Sequence, residues 1–348
     1  MKIIIPCAGR SARFPGVRPK WMLTHPDGSL MVKKAIDEID IEPKDIIITI
    51  LKKHEEEYQV KRGLRENIGE DIQIVVLDEQ TKSQPETVYL TLKQLGLKES
   101  FLVKDSDNTF AIPKVEEDYS YVCISDIQDY KDINPGNKSY VELNNQNIIT
   151  NIVEKKVVSR FFNVGGYFFH NPEDFLISFE RLNRTNGNGS ELYISHIIQD
   201  LILNHKKVFF GKKIKSYTDW GTWAQWSKYR RKFKTYFVDI DGILFKNAAQ
   251  FFYPRWNDSE PIKENIKIIK KLSENKYVQL FYITARPEKY REFTEQKLKE
   301  LGLKYDGLIM DCLHAKRIII NDFSKTTGYP SCEAINILRD SEDLVRYI

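Results

Sequence analysis

The stretch PCAGRSARFPGVRPKWML, residues 6–23, follows the β-branched run that starts at Lys2. Lys2–Pro6 reads as a buried strand that stops abruptly in a loop of small and basic residues. Ala8, Gly9, Ser11 and Ala12 let backbone N–H groups approach an anion closely, and Arg10, Arg13, Arg18 and Lys20 add fixed positive charge. That combination suits the triphosphate of a nucleotide. The loop is neither a G-x-x-x-x-G-K-[ST] nor a G-x-G-x-x-G sequence, so two common phosphate-binding loops are excluded.

Outward from this loop the pattern repeats. Apolar runs at 46–51, 72–77, 101–103 and 121–124 predict further strands, and helical spacing at 33–39, 55–64 and 86–95 alternates with them. Strands alternating with helices predict a largely parallel sheet covered on both faces. Between about 140 and 169 the strands crowd together with Asn-rich turns, which predicts hairpins and a mixed-sheet extension. After the basic segment SKYRRKFK (227–234) a fresh series begins: strands at 236–240, 279–283, 308–310 and 317–320, with helices at 262–272 and 290–301. At 348 residues the chain has room for two domains, and the boundary is placed near 230: domains 1–229 and 230–348.

Bulk properties exclude several classes. A net charge of +4, from 53 basic and 49 acidic residues, permits anionic substrates without the concentrated basic face of a nucleic-acid binder. No apolar run approaches the roughly 18 residues of a membrane helix, and MKIIIPCAG is too short for a signal peptide. Cys7, Cys123, Cys312 and Cys332 are scattered without metal-ligand spacing, so a reduced, cytoplasmic protein is expected.

The first half resembles the sugar-phosphate nucleotidyltransferase family, whose sheet is a GT-A-like Rossmann fold. The resemblance rests on Ala8-Gly9, Arg13-Phe14 and Pro19-Lys20-Trp21-Met22-Leu23, then on VKDSDNTF (103–110), Val153-Glu154-Lys155, Gly165-Gly166-Tyr167 and Tyr217-Thr218-Asp219-Trp220-Gly221-Thr222, in order. It implies that Ala8, Gly9 and Arg13 bind the nucleotide, with Arg13 assisting departure of pyrophosphate. Lys20 would hold the acceptor phosphate, and Asp107 and Asp219 would hold Mg²⁺. Asp105 competes with Asp107 for the metal role. Glu154, Lys155, Gly166 and Glu191 would face the acceptor, a phosphorylated sugar or small alcohol. The base-reading segment falls at EQTKSQPETV (79–88), with Gln80 and Ser83 as its contacts and a pyrimidine NTP favoured. A glycosyltransferase shares the sheet and the metal aspartates, but not the A-G-x-x-x-R-F…P-K loop.

YFVDIDGILF (236–245) opens the second half with two aspartates one residue apart at a strand end. FYITARP (281–287) ends a second strand in a hydroxyl, and KRIIIND (316–322) ends a third in an acid. In a parallel sheet such groups collect at the carboxyl ends of the strands. Asp239 is a candidate nucleophile and Asp241 a candidate general acid and base. Thr284 and Lys316 (or Lys304) are candidates for binding a phosphoryl group, and Asp322 for holding Mg²⁺ with Asp239 and the backbone carbonyl of Asp241. The set resembles the haloacid dehalogenase superfamily, and its T-A-R-P and I-N-D forms resemble small members encoded with capsule or lipopolysaccharide genes. Roughly 40 residues separate Asp241 from Thr284 and Thr284 from Asp322, which leaves no room for a cap domain. The resemblance thus implies a small, uncapped Rossmannoid phosphatase fused to the transferase. The competing expectation is a non-catalytic assembly module in a homo-oligomer.

Overall fold

Runs of β-branched residues build the main sheet, because a strand covered on both faces needs apolar side chains at successive positions. The computed structural model describes residues 1–112, 118–131, 133–185, 191–322 and 330–348. The chain divides into two compact units, Met1–Trp226 and Ser227–Ile348.

In the first unit the strands are β1 (Lys2–Pro6), β2 (Ile46–Leu51), β3 (Gln73–Leu77), β4 (Phe101–Lys104), β5 (Asn108–Ala111), β6 (Tyr121–Asp126), β7 (Tyr140–Leu143), β8 (Ile149–Val153), β9 (Phe161–Phe169), β10 (Phe210–Lys213) and β11 (Lys215–Asp219). The helices are α1 (Met31–Ile36), α2 (Lys52–Tyr58), α3 (Val60–Ile68), α4 (Gln84–Leu95), α5 (Pro172–Thr185), α6 (Ile194–His205) and α7 (Trp223–Arg230), the last running past the unit's end. The main sheet has the order β10-β6-β9-β4-β1-β2-β3, with β7 added against β9 and β8 against β7. Strands β4, β1, β2 and β3 are mutually parallel, whereas β9 runs antiparallel to β4, β6 and β7. The parallel core and the mixed extension therefore both form.

The period-2 alternation of a strand splits the core into two layers. Ile3, Ile5, Ile46 and Ile48 face one side with Val32 and Ile36 of α1 and Val60 and Leu64 of α3. Ile4 and Ile47 face the other with Val88 of α4, Phe175 of α5 and Ile197 of α6. One expected helix, over 55–64, is instead two, because Gln59 takes a left-handed conformation (φ 51°) between α2 and α3.

The second unit has three parallel strands in the order β12 (Lys234–Asp239), β13 (Val278–Ile283), β14 (Gly307–Ile309), with helices α8 (Lys263–Ser273) and α9 (Arg291–Glu300). Ile240, Leu244, Ile269, Tyr282 and Leu298 form its core. The strand expected over 317–320 is not formed. Ile318, Ile319 and Ile320 are 75%, 56% and 94% exposed, and no ladder partner engages them among the described residues. The apolar triplet is a local signal only. A strand also needs a neighbour in register, and the sheet ends at β14 on one side and β12 on the other. No helix among the described residues is long and apolar enough to cross a membrane.

Candidate functional site

Three loops meet at one edge of the first unit. Parallel pairing of β1 with β4 puts the ends of both strands at that edge, so the loop after β1 and the turn after β4 are neighbours. Strand β5 then pairs antiparallel with β11, with Asn108 opposite Asp219. Trp220 N donates to Asp107 O at 2.8 Å. This register brings Asp107 and Asp219 together although they are far apart in the chain.

Gly221 shows how closely. A β-carbon built on it would lie 3.0 Å from Asp219 Oδ1, 3.3 Å from Asp107 Oδ2 and 3.6 Å from Arg13 Nη1. Two carboxylates and a guanidinium thus border a space kept open by the missing side chain. Lys20 Nζ donates to Asp107 Oδ2 at 2.6 Å, and Arg13 Nη2 lies 3.8 Å from the same oxygen. Burial pushes the Asp107 carboxyl up, but Lys20 and Arg13 outweigh it and hold the group well below the usual carboxylate range. Lys20 is fixed by its backbone N–H, which donates to Ser11 Oγ at 3.2 Å. Ser11 itself has φ 48°, a left-handed conformation that glycine adopts most readily.

The structure separates the two candidate aspartates. Asp105 is raised above its ordinary value, first by burial and then by the charge of Asp107. Its carboxylate accepts from Gln84 Nε2 at 2.5 Å, and its N–H donates to Gly165 O. Gly165 has φ +87°, and a β-carbon there would lie 2.3 Å from Asp105 Oδ2, so glycine is required to seat this side chain. Asp107 thus meets Lys20 and Arg13, whereas Asp105 meets Gln84 and Gly165. Below them lies Lys104, fully buried, donating to Asp105 O, Asn108 O and Asn108 Oδ1 at 2.7, 2.9 and 2.6 Å. Burial lowers its ammonium to about 8 against the opposing charges of Asp105 and Asp107.

The expected acceptor residues fall on the turn after β8 and the start of α6. Glu154 accepts from Ser139 Oγ and, at 2.7 Å, from Ser195 Oγ. Lys155, at φ 54°, donates to the Tyr193 hydroxyl, which donates in turn to Glu191 at 2.6 Å. Gly166 is different. A β-carbon there would meet Phe110 at 2.7 Å and Cys123 at 2.9 Å, so sheet packing accounts for this glycine. In the loop after β1, Ala8 is buried in the core, while Gly9 is exposed with open space where a side chain would project. Ser83 caps α4, its hydroxyl accepting from Glu86 N at 3.3 Å, and Gln80 is exposed. The cap accounts for a serine at this position.

Sequence reading overlooked Lys138, which lies just before β7 and whose Nζ is 2.6 Å from Asp219 Oδ2. It also overlooked Gln84, the partner of Asp105, and Gln225, whose Nε2 donates to Asp219 Oδ2 at 2.9 Å. The donor set suits Mg²⁺ in kind: Asp107 and Asp219 are two hard carboxylates converging beside Gly221, each now paired with a lysine. Among the described residues no three His, Cys, Asp or Glu side chains converge as a self-sufficient metal cage.

In the second unit, Asp239 ends β12 and Thr284 follows β13, so their strand pairing sets them side by side. Burial raises the Asp239 carboxyl, opposed by Arg317, whose Nη2 lies 3.3 Å from Oδ1. Thr284 Oγ1 donates to Asp241 Oδ2 at 3.1 Å. Arg286, the arginine of the T-A-R-P stretch, is fully buried and donates to Asp241 through Nη2 at 2.7 Å and Nε at 3.0 Å. The site departs from expectation in three places. Lys316 is exposed, and it is Arg317 that reaches Asp239. Lys304 precedes β14 and so lies at the amino end of the sheet, opposite Asp239. Asp322 is exposed beyond the missing strand and is not gathered with the other acids. Asp239, Asp241 and Asp322, expected to hold Mg²⁺ together, are not gathered at one point among the described residues.

No family model matches the sequence, and no curated protein matches it. Solved structures do. A nucleoside-diphosphate-sugar pyrophosphorylase from Vibrio cholerae RC9 superposes over 66% of this chain and 99% of its own, with a TM-score of 0.56 and 20% identity. An inositol-1-phosphate CTP transferase from T. maritima covers 64% of this chain and 90% of its own, with a TM-score of 0.50 and 15% identity. At such identities the similarity is one of fold: about two thirds of this chain has the Rossmann-like α/β architecture of the nucleotidyltransferases.

Proposed function

We propose that the chain is a cytoplasmic, Mg²⁺-dependent nucleotidyltransferase with domains 1–229 and 230–348. It would act on an NTP and a phosphorylated sugar or small alcohol to make a precursor for surface polysaccharide. The observation that carries this reading is the convergence of Asp107, Asp219 and Arg13 on Gly221, with Lys20 on Asp107. An oxygen of the acceptor phosphate attacks the α-phosphorus, the bond to the α–β bridging oxygen breaks, and pyrophosphate leaves with its electron pair. Both reactants are anions, so positioning and charge neutralisation are the main requirements. Arg13 neutralises the leaving pyrophosphate, and Lys20 and Lys155 orient the acceptor phosphate. Asp107 and Asp219 would hold Mg²⁺, which supplies positive charge at the α-phosphate. Glu154, kept in place by Ser139 and Ser195, accepts from an acceptor hydroxyl.

The test is a thermal-shift panel of CTP, UTP, dTTP, GTP and ATP with Mg²⁺ on the full chain. A nucleotide at 100 times its Kd stabilises the native state by about 2.7 kcal/mol. One nucleotide should stand out, and Arg13→Ala should abolish its effect. No stabilisation by any of the five would refute the reading.

For the second unit we propose phosphomonoester hydrolysis with Asp239 as nucleophile, supported by its strand-end position beside Thr284. The exposure of Asp322 and the capture of Asp241 by Arg286 favour a second reading, a non-catalytic assembly module. p-Nitrophenyl phosphate separates them. Hydrolysis lost in Asp239→Asn supports the phosphatase. No hydrolysis by the wild type, with a change of oligomeric state on truncation after residue 230, supports the module.

A further inference from the structure

Lys138 belongs to no motif, yet it sits where the two halves of the candidate site meet. Its Nζ is 2.6 Å from Asp219 Oδ2 and donates to the Tyr217 hydroxyl at 2.6 Å, with the Tyr217 ring centroid 5.2 Å away. The side chain is only 15% exposed, and that of Asp219 only 10%. Its carbonyl accepts from Lys155 N at 3.1 Å, and the hydroxyl of the next residue, Ser139, donates to Glu154. One dipeptide therefore ties the carboxylate assigned to the nucleotide side to the turn assigned to the acceptor.

Lys20 stands on Asp107 as Lys138 stands on Asp219, each at 2.6 Å. A carboxylate oxygen with an ammonium at that distance cannot also take a divalent cation without strong repulsion between the two positive charges. A cation taken up on those two oxygens would displace both lysines. Lys20 and Lys138 are both largely covered, with 21% and 15% of the side chain exposed, and the Tyr217 hydroxyl would still tether Lys138. A largely covered ammonium that loses its carboxylate gains from a replacement anion. The anions that enter this space under the transferase reading are substrate phosphates.

We propose that Lys138 is a phosphate-binding residue of the transfer reaction, stored on Asp219 in the ligand-free protein and passed to a substrate phosphate when Asp219 is engaged. The proposal rests on the transferase reading of the same site. It predicts effects of opposite sign on two ligands. Removing the ammonium frees Asp219 for a bare cation but deprives the phosphate of its partner.

The experiment uses the full chain as wild type, Lys138→Met and Lys138→Gln, with unfolding curves recorded for each. In the first arm Mn²⁺ alone is titrated, with free ion counted by electron paramagnetic resonance. In the second, the nucleotide selected by the panel is titrated with Mn²⁺ present. In the third, inorganic phosphate is titrated into the nucleotide-saturated protein. Both variants should bind Mn²⁺ alone about tenfold more tightly, and should bind the nucleotide or the inorganic phosphate about tenfold more weakly. A loss in the second arm assigns Lys138 to a nucleotide phosphate, and a loss in the third alone to the acceptor phosphate.

A purely structural lysine would weaken all three arms together, and that result overturns the proposal. So does unchanged affinity in both phosphate arms. If Lys138→Met fails to fold, the near-isosteric glutamine variant decides by the same signs. If neither variant folds, Lys138 is structural and the proposal falls. A wild type that binds no nucleotide refutes the transferase reading and this one with it, whereas a nucleotide-binding wild type with unaffected variants refutes only the role of Lys138.

Discussion

Gly221→Ala separates what this glycine does for the site from what it does for the fold. The new methyl carbon would lie 3.0 Å from Asp219 Oδ1 and 3.3 Å from Asp107 Oδ2, where ordinary contact begins at 3.4 Å. Both carboxylates must retreat by a few tenths of an ångström, Asp219 by more. Metal sites tolerate ligand displacements of only about 0.2 Å, and misplacements on the ångström scale cost roughly 100-fold in rate. Stability should barely change. The backbone at Gly221 is not left-handed, and the retreat of Asp219 Oδ1 need only lengthen the 2.9 Å bond it accepts from Gly221 N. Alanine also stiffens the unfolded chain, which contributes about 0.4–1 kcal/mol in favour of folding. The expected outcome is an unfolding free energy within about 1 kcal/mol of wild type, with pyrophosphate release and Mn²⁺ affinity reduced between about tenfold and 100-fold. Wild-type turnover in Gly221→Ala would refute the convergence of the two carboxylates on this point. Loss of folding would show that glycine is kept here for the fold.

Three further substitutions probe the groups around the two sites. Lys104→Met keeps the packing over Phe110 but leaves three buried acceptors unmet, so it should cost about 3 kcal/mol or more in chemical denaturation; a cost under about 1 kcal/mol would mean that water replaces the ammonium. In Lys20→Met the effect should appear in acid. Because the folded Asp107 carboxyl is held below its unfolded value, its contribution to stability is present above the unfolded pKa and is lost as pH falls through the folded one. Removing Lys20 raises the folded pKa, so circular dichroism between about pH 2 and 5 should show unfolding at a higher pH than wild type, and an unchanged midpoint would refute the assignment. Arg286→Met breaks a pair whose arginine is fully buried and should destabilise the second unit by about 3 kcal/mol, read as an earlier melting of that unit; an unchanged melt would mean that the pair is dispensable.

Much of the fold was written in local signals. Lys2–Pro6 and Ile46–Leu51 are strands with the bounds their β-branched runs indicate, because parallel strands buried on both faces announce themselves by composition alone. Arg13, Lys20, Asp107 and Asp219 could be picked out by residue type at strand ends and by resemblance, and the fold brings them together. Lys138 could not. It sits in the polar turn PGNKSY, and only the pairing of β5 with β11, a long-range event, carries Asp219 to it. Gln84 was hidden for the same reason: its partner Asp105 belongs to another segment. Arg286 stood inside a quoted stretch, and a signal was available. An arginine two residues after a strand-end hydroxyl, with an unpaired aspartate expected nearby, has one obvious partner. The opposite error occurred at 317–320, where three isoleucines met every local criterion for a strand and lacked only a neighbour.

The same chemistry, a basic side chain on an aspartate, has different consequences in the two units. Lys20 and Lys138 each meet their carboxylate through one compact ammonium on a flexible stem, with 21% and 15% of the side chain exposed. Such contacts can be exchanged for another anion with little rearrangement. Arg286 holds Asp241 through two nitrogens of a rigid fork, fully buried, with the rings of Phe245 and Trp256 centred 5.5 and 5.8 Å from the guanidinium. Releasing Asp241 would strand a buried guanidinium without its anion, a far greater cost than freeing a partly hydrated lysine. Under the transferase reading, such exchangeable contacts would let the first site change partners on loading, as an enzyme that binds two anions and releases two others requires. In the second, the Asp241 carboxylate is held by a buried fork, whereas the contact of Asp239 with Arg317 is half-exposed.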